Sequence, residues 1–474
     1  MVPPRMARRL VWSLCLVSLL TLGSAPMAAA AEFSQPLVVP ADPPPVVLPG
    51  EFERQDAILL GWEAADDTVQ TVLLNIISQV WRRVPIVMMV GTTQEQQDAL
   101  AAMQRAGVPP RAVRFVQLPY DTVWTRDYGP LIVRLSDGRS LFTDTEYERY
   151  ERPLDDDVPV ALAVKLGGTS VPVPLRIEGG NLLSNGAGLC LTTYKVLDDN
   201  AGRGYDERNV QQIVEEYYGG RQLVFLEPLA GEMTGHVDMF CTFTGTDTVV
   251  VGEYPPEADP ENAAVLDRNA ELLSSVVTPR GPLRVVRIPM PPRSGALWRT
   301  YTNVLYANGC VLVPVYPGVD PIGQNNALAV YRRLMPGWTV IGVDCRDVIK
   351  LGGAVHCLTR NLASLQRLAP IRPVSPRVAR AETERPAFPA VYIHPRTARM
   401  RRADGPPLEP GGFEQGRTFL GDRPFIANGG WRPAPLDDEH HDPFRTYGPR
   451  PAGWQPTQLR RSFASDRSAT FTAD

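Results

Sequence analysis

The hydrophobic pattern switches between two periods along the first half of the chain. Ala57-Ile58-Leu59-Leu60-Gly61-Trp62 is a short continuous apolar run and predicts a strand. Val69, Val72, Leu73, Ile76, Ile77 and Val80 recur at helical spacing and predict a helix between Val69 and Val84. Pro85 to Val90 predicts a buried strand, Thr92 to Ala106 a second helix, and Ala112 to Leu118 an alternating strand. A rhythm then sets in. Polar-glycine turns at Asp137-Gly138, Asn185-Gly186, Gly245-Thr246 and Asn308-Gly309 separate strand-like runs. Asp-Gly and Asn-Gly are strong hairpin signals because such turns require positive φ. Each hairpin precedes a helix candidate: Pro159 to Leu166, Glu207 to Tyr218, Asn262 to Ser275 and Asn325 to Met335. Each of these helices leads into an apolar strand candidate.

The turns recur every ~50–60 residues, a period that marks a repeated supersecondary unit. The unit reads strand, strand, helix, strand. About five such units fit into residues 51–370 when the opening segment and the segment around Cys357 close the circle. The expected fold class is therefore α/β, built from pseudo-symmetric repeats.

The two ends differ from this body. Arg5, Arg8 and Arg9 precede the apolar run Leu10 to Leu22, followed by Ala28-Ala29-Ala30-Ala31, the order of a secretory signal peptide over 1–31. The run is too short for a spanning helix of ~20 residues. Export without a membrane anchor, to the periplasm or the exterior, is the expectation. Residues 32–50 are Pro-rich and read as an extended lead-in. Residues 371–474 hold 15 Pro, 16 Arg and no Lys, with few apolar runs, and read as a largely disordered tail whose strand-like piece is Phe388 to Ile393.

Charge sharpens the division. The tail carries net +4, whereas residues 32–370 hold 29 basic and 40 acidic residues. An acidic body favours cationic ligands and argues against nucleic acid as a partner. Past the signal, five cysteines remain: Cys190, Cys241, Cys310, Cys345 and Cys357. An odd, sparse set leaves at least one free thiol or an intermolecular bridge, and the fold must rest on its core.

Chemistry-bearing residues cluster just ahead of the hairpins. They lie in Asp121 to Pro130, in Glu178-Gly179-Gly180-Asn181, in Gly235-His236-Val237-Asp238, in Tyr301-Thr302-Asn303, and in Leu351 to Arg360 around Cys357. Equivalent positions in repeats about a common axis would gather Asp127, Glu178, His236, Asp238, Asn303 and Cys357. A thiol beside a histidine is the minimum for a cysteine nucleophile. Two carboxylates, Asp127 and Asp238, would oppose the thiolate unless the substrate is cationic, and a guanidinium offers the donor fork that carboxylates match. His236 and Asp238, two apart, would share one face of a strand. A metal held by His236, Asp238, Asp127 and Glu178 is the alternative, though no H-E-x-x-H or paired-Cys spacing accompanies it. A binding module without catalysis is another.

Trp124-x-Arg126-Asp127-x-Gly129-Pro130, Glu178-Gly179-Gly180-Asn181, Gly235-His236-Val237-Asp238, Tyr301-Thr302-Asn303 and Gly352-Gly353-x-x-His356-Cys357 together resemble the bacterial peptidylarginine deiminase and agmatine deiminase family. The resemblance spans roughly 51–370. It implies a five-bladed α/β propeller of the pentein type, with no cofactor and no metal. It also implies roles: Cys357 as nucleophile, Asp127 and Asp238 on the guanidinium, and His236 as proton carrier. Glu178 would orient His236, Asn303 would support the nucleophile, and Trp124 and Asn181 would line the substrate. The Asn-aromatic-Trp-Gly segment of agmatine deiminases is missing. Tyr147 to Pro153 instead resembles the segment with which bacterial peptidylarginine deiminases clamp a C-terminal carboxylate, with Arg149 and Arg152 as candidates. The implied substrate is arginine in peptides, with agmatine or free arginine as the alternative.

Overall fold

The computed structural model describes residues 36–147 and 152–365, together with four short strands further on, Tyr392–His394, Arg399–Arg401, Phe425–Ile426 and Gly430–Trp431. The expected signal peptide, the candidate Arg149 and, apart from those four strands, the expected disordered tail 371–474 lie outside the described residues.

Five sheets in this mixed α/β body repeat one connectivity. In four of them the first two strands form an antiparallel hairpin and the third, reached through a helix, lies parallel to the second. The hairpins are Leu131–Leu135 with Ser140–Glu146, Leu183–Ser184 with Leu189–Thr193, Cys241–Gly245 with Thr248–Glu253, and Leu305–Tyr306 with Cys310–Val315. The parallel third strands are Ser170–Arg176, Gln222–Leu226, Arg284–Pro289 and Thr339–Asp344. A parallel neighbour cannot be reached by a tight turn, so each unit needs its crossover helix. The fifth sheet takes its antiparallel strand from the far end of the domain: Arg360–Leu362 pairs with Ala57–Gly61. Ile86–Val90 and Val113–Gln117 then extend that sheet in parallel.

The expected elements appear where the pattern put them, within a few residues. The first helix runs Asp67–Val80 and starts where Asp66 accepts from the Thr68 and Val69 amides at 2.7 and 3.1 Å. Such a cap contributes about 1 kcal/mol. The helix buries the predicted stripe, Val69 through Val80, against the strands beneath. Burial of a side chain such as Leu73 contributes ~1.5–3 kcal/mol. Three of the hairpin turns carry the required positive φ, at Gly138, Gly186 and the pair Asn308-Gly309.

The extended lead-in is also paired into the sheets: Leu37–Val38 pairs with Val276–Val277, and Val46–Val47 pairs with Leu135 and Arg134. Leu37–Val38 thereby joins a small sixth sheet with Val276–Thr278 and Gly281–Pro282, which the turn spacing did not announce. As the odd, sparse cysteine set implied, the five cysteines of the body are all free and buried, and the core rather than disulfides holds the fold.

Candidate active site

Each chemistry-bearing stretch ends immediately before the first strand of one sheet. Thr125–Tyr128, a single helical turn carrying Asp127, precedes Leu131–Leu135. Glu178 precedes Leu183, His236 and Asp238 precede Cys241, Asn303 precedes Leu305, and Cys357 precedes Arg360. The repeated connectivity therefore delivers one polar segment per sheet to a shared centre.

Glycine lets them meet. A Cβ on Gly180 would lie 2.6 Å from His236 Nδ1, 2.9 Å from Asp127 Oδ1 and 3.2 Å from Asp238 Oδ2. Three functional groups thus converge on one backbone point that only glycine leaves open. Gly353 plays the same part on the other side, where an added Cβ would strike the Trp124 ring at 2.4 Å and Cys357 Cβ at 2.7 Å. Gly353 thereby lets Trp124 sit close beside the residue that carries the thiol.

Two linked clusters fill the centre. In the first, His236 Nε2 lies 3.0 Å from Glu178 Oε2, and its Nδ1 lies 3.7 Å from Asp127 Oδ1. Burial disfavours the imidazolium, but Asp127, Glu178 and Asp238 outweigh it and push the pKa of His236 up to about 9. In the second, Asn303 Nδ2 donates to Asp238 Oδ2 at 3.0 Å and to Cys357 Sγ at 3.3 Å. Asn303 Oδ1 accepts from the His356 amide at 3.0 Å and the Cys357 amide at 3.3 Å. Burial pushes the Cys357 thiol well up, and Asp238 and Asp127 push it further. A cation bound between those carboxylates reverses that penalty.

Asp238 Oδ1 is buried and has no hydrogen-bond partner among the described residues. An ionised carboxylate oxygen held this way costs free energy unless a donor completes it. The remaining face of Asp238 is thus left open to a donor.

The expected strand through His236-Val237-Asp238 is not formed. Val237–Met239 is a 3₁₀ turn. Glu232 accepts from the Thr234 and Gly235 amides at 3.1 and 2.7 Å, and Thr234 Oγ1 accepts from the His236 amide at 3.2 Å. These side-chain acceptors take the donors a strand ladder would use. The two side chains consequently point to different partners, His236 to Glu178 and Asp238 to Asn303. Asn181, expected at the substrate, turns inward instead. Its Oδ1 accepts from the Thr193 amide and hydroxyl at 3.2 and 3.1 Å and from the Val237 amide at 3.1 Å, which makes it a support for the His236 loop.

Arg152 stands at the start of the turn Pro153–Asp156, and its Nη1 donates to Tyr147 Oη at 3.1 Å. That turn is bolted to the Trp124 segment. Asp155 accepts from the Asp121 and Thr122 amides at 2.8 and 3.1 Å and from the Thr122 hydroxyl at 2.8 Å. Burial pushes the Asp155 carboxyl up to about 7.

The sequence assigned no role to Glu51 or His356, yet both are built into the second cluster. His356 Nδ1 lies 2.7 Å from Asp238 Oδ2, and its Nε2 lies 2.8 Å from Glu51 Oε2. Glu51 also pairs with Arg126, which is fully buried. The motif around Cys357 already contained His356; Glu51 lay in no motif at all.

Asp127, Glu178 and His236 also bring three ligand atoms within 4.8 Å of one another. The 3.0 Å His236–Glu178 contact is already a hydrogen bond, so an ion there would have to break it.

A buried thiol, a histidine held by carboxylates and a buried carboxylate oxygen without a partner among the described residues thus meet at one centre. Residues 47–362 match the family model of the Porphyromonas-type peptidyl-arginine deiminase. A protein of Shewanella sp. (strain MR-7) named "Putative agmatine deiminase" is 26% identical over 364 residues, which cover 67% of this chain and 94% of that protein. The crystal structure of a "Putative Arginine Deiminase" from Porphyromonas gingivalis superposes with a TM-score of 0.59 at 27% identity, covering 68% of this chain and 99% of that one. The agmatine deiminase of Enterococcus faecalis shares the fold, with a TM-score of 0.60 at 20% identity, over 67% of this chain and 96% of its own. The chain belongs to the Porphyromonas-type peptidyl-arginine deiminase and agmatine deiminase family, and is by that membership an amidine hydrolase that deiminates a guanidino group.

Proposed function

We propose that this protein is an exported deiminase that converts arginine in peptides, at the C-terminus above all, to citrulline with release of ammonia. The observation that carries the reaction is the pair of contacts made by Asn303, which sets Cys357 Sγ beside Asp238, a carboxylate with one buried oxygen left without a partner. Asp127 and Asp238 hold the guanidinium. Its charge offsets theirs and favours the thiolate. The thiolate of Cys357 attacks the guanidinium carbon, forming a C–S bond. The C–N bond breaks as the leaving nitrogen takes the proton of His236 and departs as ammonia. Neutral His236 then takes a proton from water. The resulting hydroxide attacks the thiouronium carbon, the C–S bond breaks to regenerate the thiolate, and the new hydroxyl gives its proton to solvent, where ammonia takes it up, as a ureido group leaves. Splitting the reaction through a covalent intermediate replaces one hard step with two easier ones. Glu178 orients His236 throughout.

Two features support peptide over agmatine. The segment with Arg149 and Arg152 suits a carboxylate, because guanidinium groups bind carboxylates in bidentate fashion. The basic, apolar, small-residue order of 1–31 suits export, where peptides are met. Agmatine, which has no carboxylate, is the second reading, favoured by the name of the Shewanella relative. We further infer that the five sheets form a five-bladed propeller closed by Arg360–Leu362. The support is that each sheet contributes its site residues from the same position.

A colorimetric ureido assay tests the substrate. The full chain is offered a peptide ending in arginine, a peptide with internal arginine, free arginine and agmatine. Arg149→Ala/Arg152→Ala is expected to lower kcat/KM for the arginine-ending peptide about 10–100-fold, the loss of one or two charged hydrogen bonds, and to spare agmatine. Equal losses on both substrates, or product from agmatine alone, sink the peptide reading. Mature protein beginning near residue 32 outside the cytoplasm is the corresponding result for export; uncleaved chain in the cytoplasm contradicts it.

A further inference from the structure

Beside Asp238 lies a second histidine that the catalytic steps above do not use. His356 is buried, and each of its ring nitrogens meets a carboxylate: Asp238 Oδ2 at 2.7 Å and Glu51 Oε2 at 2.8 Å. A neutral imidazole has one N–H and one lone pair, whereas an ionised carboxylate only accepts. Both contacts are hydrogen bonds together only when the ring carries two N–H groups. Glu51 is firmly ionised. Burial raises its pKa, but Arg126, His356 and Arg360 hold it well below the usual carboxylate range. Asp238 Oδ2 already accepts from Asn303 Nδ2 at 3.0 Å.

We propose that His356 is held as a permanent imidazolium between Glu51 and Asp238, acting as a positioning residue that fixes Asp238 by Oδ2, turns Oδ1 toward the guanidinium, and offsets the carboxylate's charge beside Cys357. The role assigned to Oδ1 rests on the guanidinium reading above; the charge state of the ring does not. The geometry gives the pair a division of labour. Asn303 and His356 occupy the same oxygen of Asp238, so the other is left over by construction. Without the imidazolium, two carboxylates, Asp127 and Asp238, would act on the thiol with one fewer buried cation to oppose them. The charged groups around the ring are Asp238 on one side and Glu51 on the other. Arg126 lies behind it, with its Nε donating to the His356 carbonyl at 3.3 Å. Burial and Arg126 disfavour the charged ring, and the two carboxylates outweigh them, so its pKa is raised. Glu51, the first residue after the Pro-rich lead-in, reaches the ring from 305 positions away in sequence.

Histidine-labelled full-length protein tests this by NMR, with His356→Asn used to assign the ring among the chain's five histidines. The His356 ring is expected to show imidazolium shifts at pH 7.5 without substrate; neutral-ring shifts at that pH overturn the proposal. A second measurement separates positioning from mere packing. His356→Asn offers an amide N–H to Asp238 but no charge. The pH dependence of Cys357 alkylation by iodoacetamide is expected to move upward by about one pH unit, roughly tenfold less thiolate at a given pH. Glu51→Gln is expected to move it in the same direction. Folded variants with the wild-type alkylation profile refute the electrostatic role. Alkylation and ring shifts need no substrate. A charged ring in a protein that turns over no guanidine would instead count against the deiminase reading alone.

Discussion

Two buried histidines sit within the candidate active site, each between two carboxylates, and they differ in how closely those carboxylates hold them. His236 has Glu178 at 3.0 Å on its Nε2 side and Asp127 at a long 3.7 Å on its Nδ1 side. His356 has Glu51 and Asp238 at 2.8 and 2.7 Å, with the buried Arg126 behind Glu51. The loosely held ring can release a proton and take one back. The tightly held ring is clamped at both ends and backed by fixed charges. Residue type alone does not distinguish a proton carrier from a structural cation; the slack in its hydrogen bonds does.

The sharpest way to break that comparison is to truncate the two rings in parallel. His236→Asn is expected to cut kcat about 10²–10⁴-fold, the usual worth of a general acid and base. His356→Asn is expected to lower kcat/KM only about tenfold, matching the expected shift in the thiol. Steady-state kinetics on the best substrate decides. Equal losses would merge the two roles, and a larger loss at His356 would invert them.

A smaller effect concerns stability against pH. The folded pKa of His236 stands near 9, above the ~6.5 of a free histidine, so its contribution to stability is complete below about pH 6.5 and fades as pH climbs toward 9. His356 is raised in the same direction and adds to the slope. Thermal unfolding of the Cys357→Ala protein is expected to shift to lower Tm between pH 6.5 and 9. The His236→Asn variant should show a shallower fall. A Tm that rises over that interval would mean that neither ring is held charged.

How much of this was legible in the chain depends on distance and on local chemistry. The hairpins at Gly138, Gly186 and Asn308-Gly309 could be read because positive φ leaves a mark in residue type. The helix Asp67–Val80 could be read because its buried stripe keeps one period. Asp127, Glu178, His236, Asp238, Asn303 and Cys357 were found because each lies in a polar stretch at the same point of a repeat. The 3₁₀ turn at Val237–Met239 escaped, since two residues at spacing two look alike in a strand and in a turn; the capping acceptors Glu232 and Thr234 were the overlooked signal. Asn181 was legible as part of a motif but not as an inward support, because its partners Thr193 and Val237 come from two other segments. Glu51 left no local trace, since its partners His356 and Arg126 come from elsewhere in the chain.

The most direct measurement is intact-protein mass spectrometry of the full chain, acid-quenched during turnover of an arginine-ending peptide or agmatine. The expected species is enzyme plus substrate minus ammonia, mapped by digestion to the peptide carrying Cys357 and absent from Cys357→Ala, which should also form no ureido product. Ureido product from Cys357→Ala, or brisk turnover loading an adduct onto any other residue, would contradict Cys357 as the nucleophile.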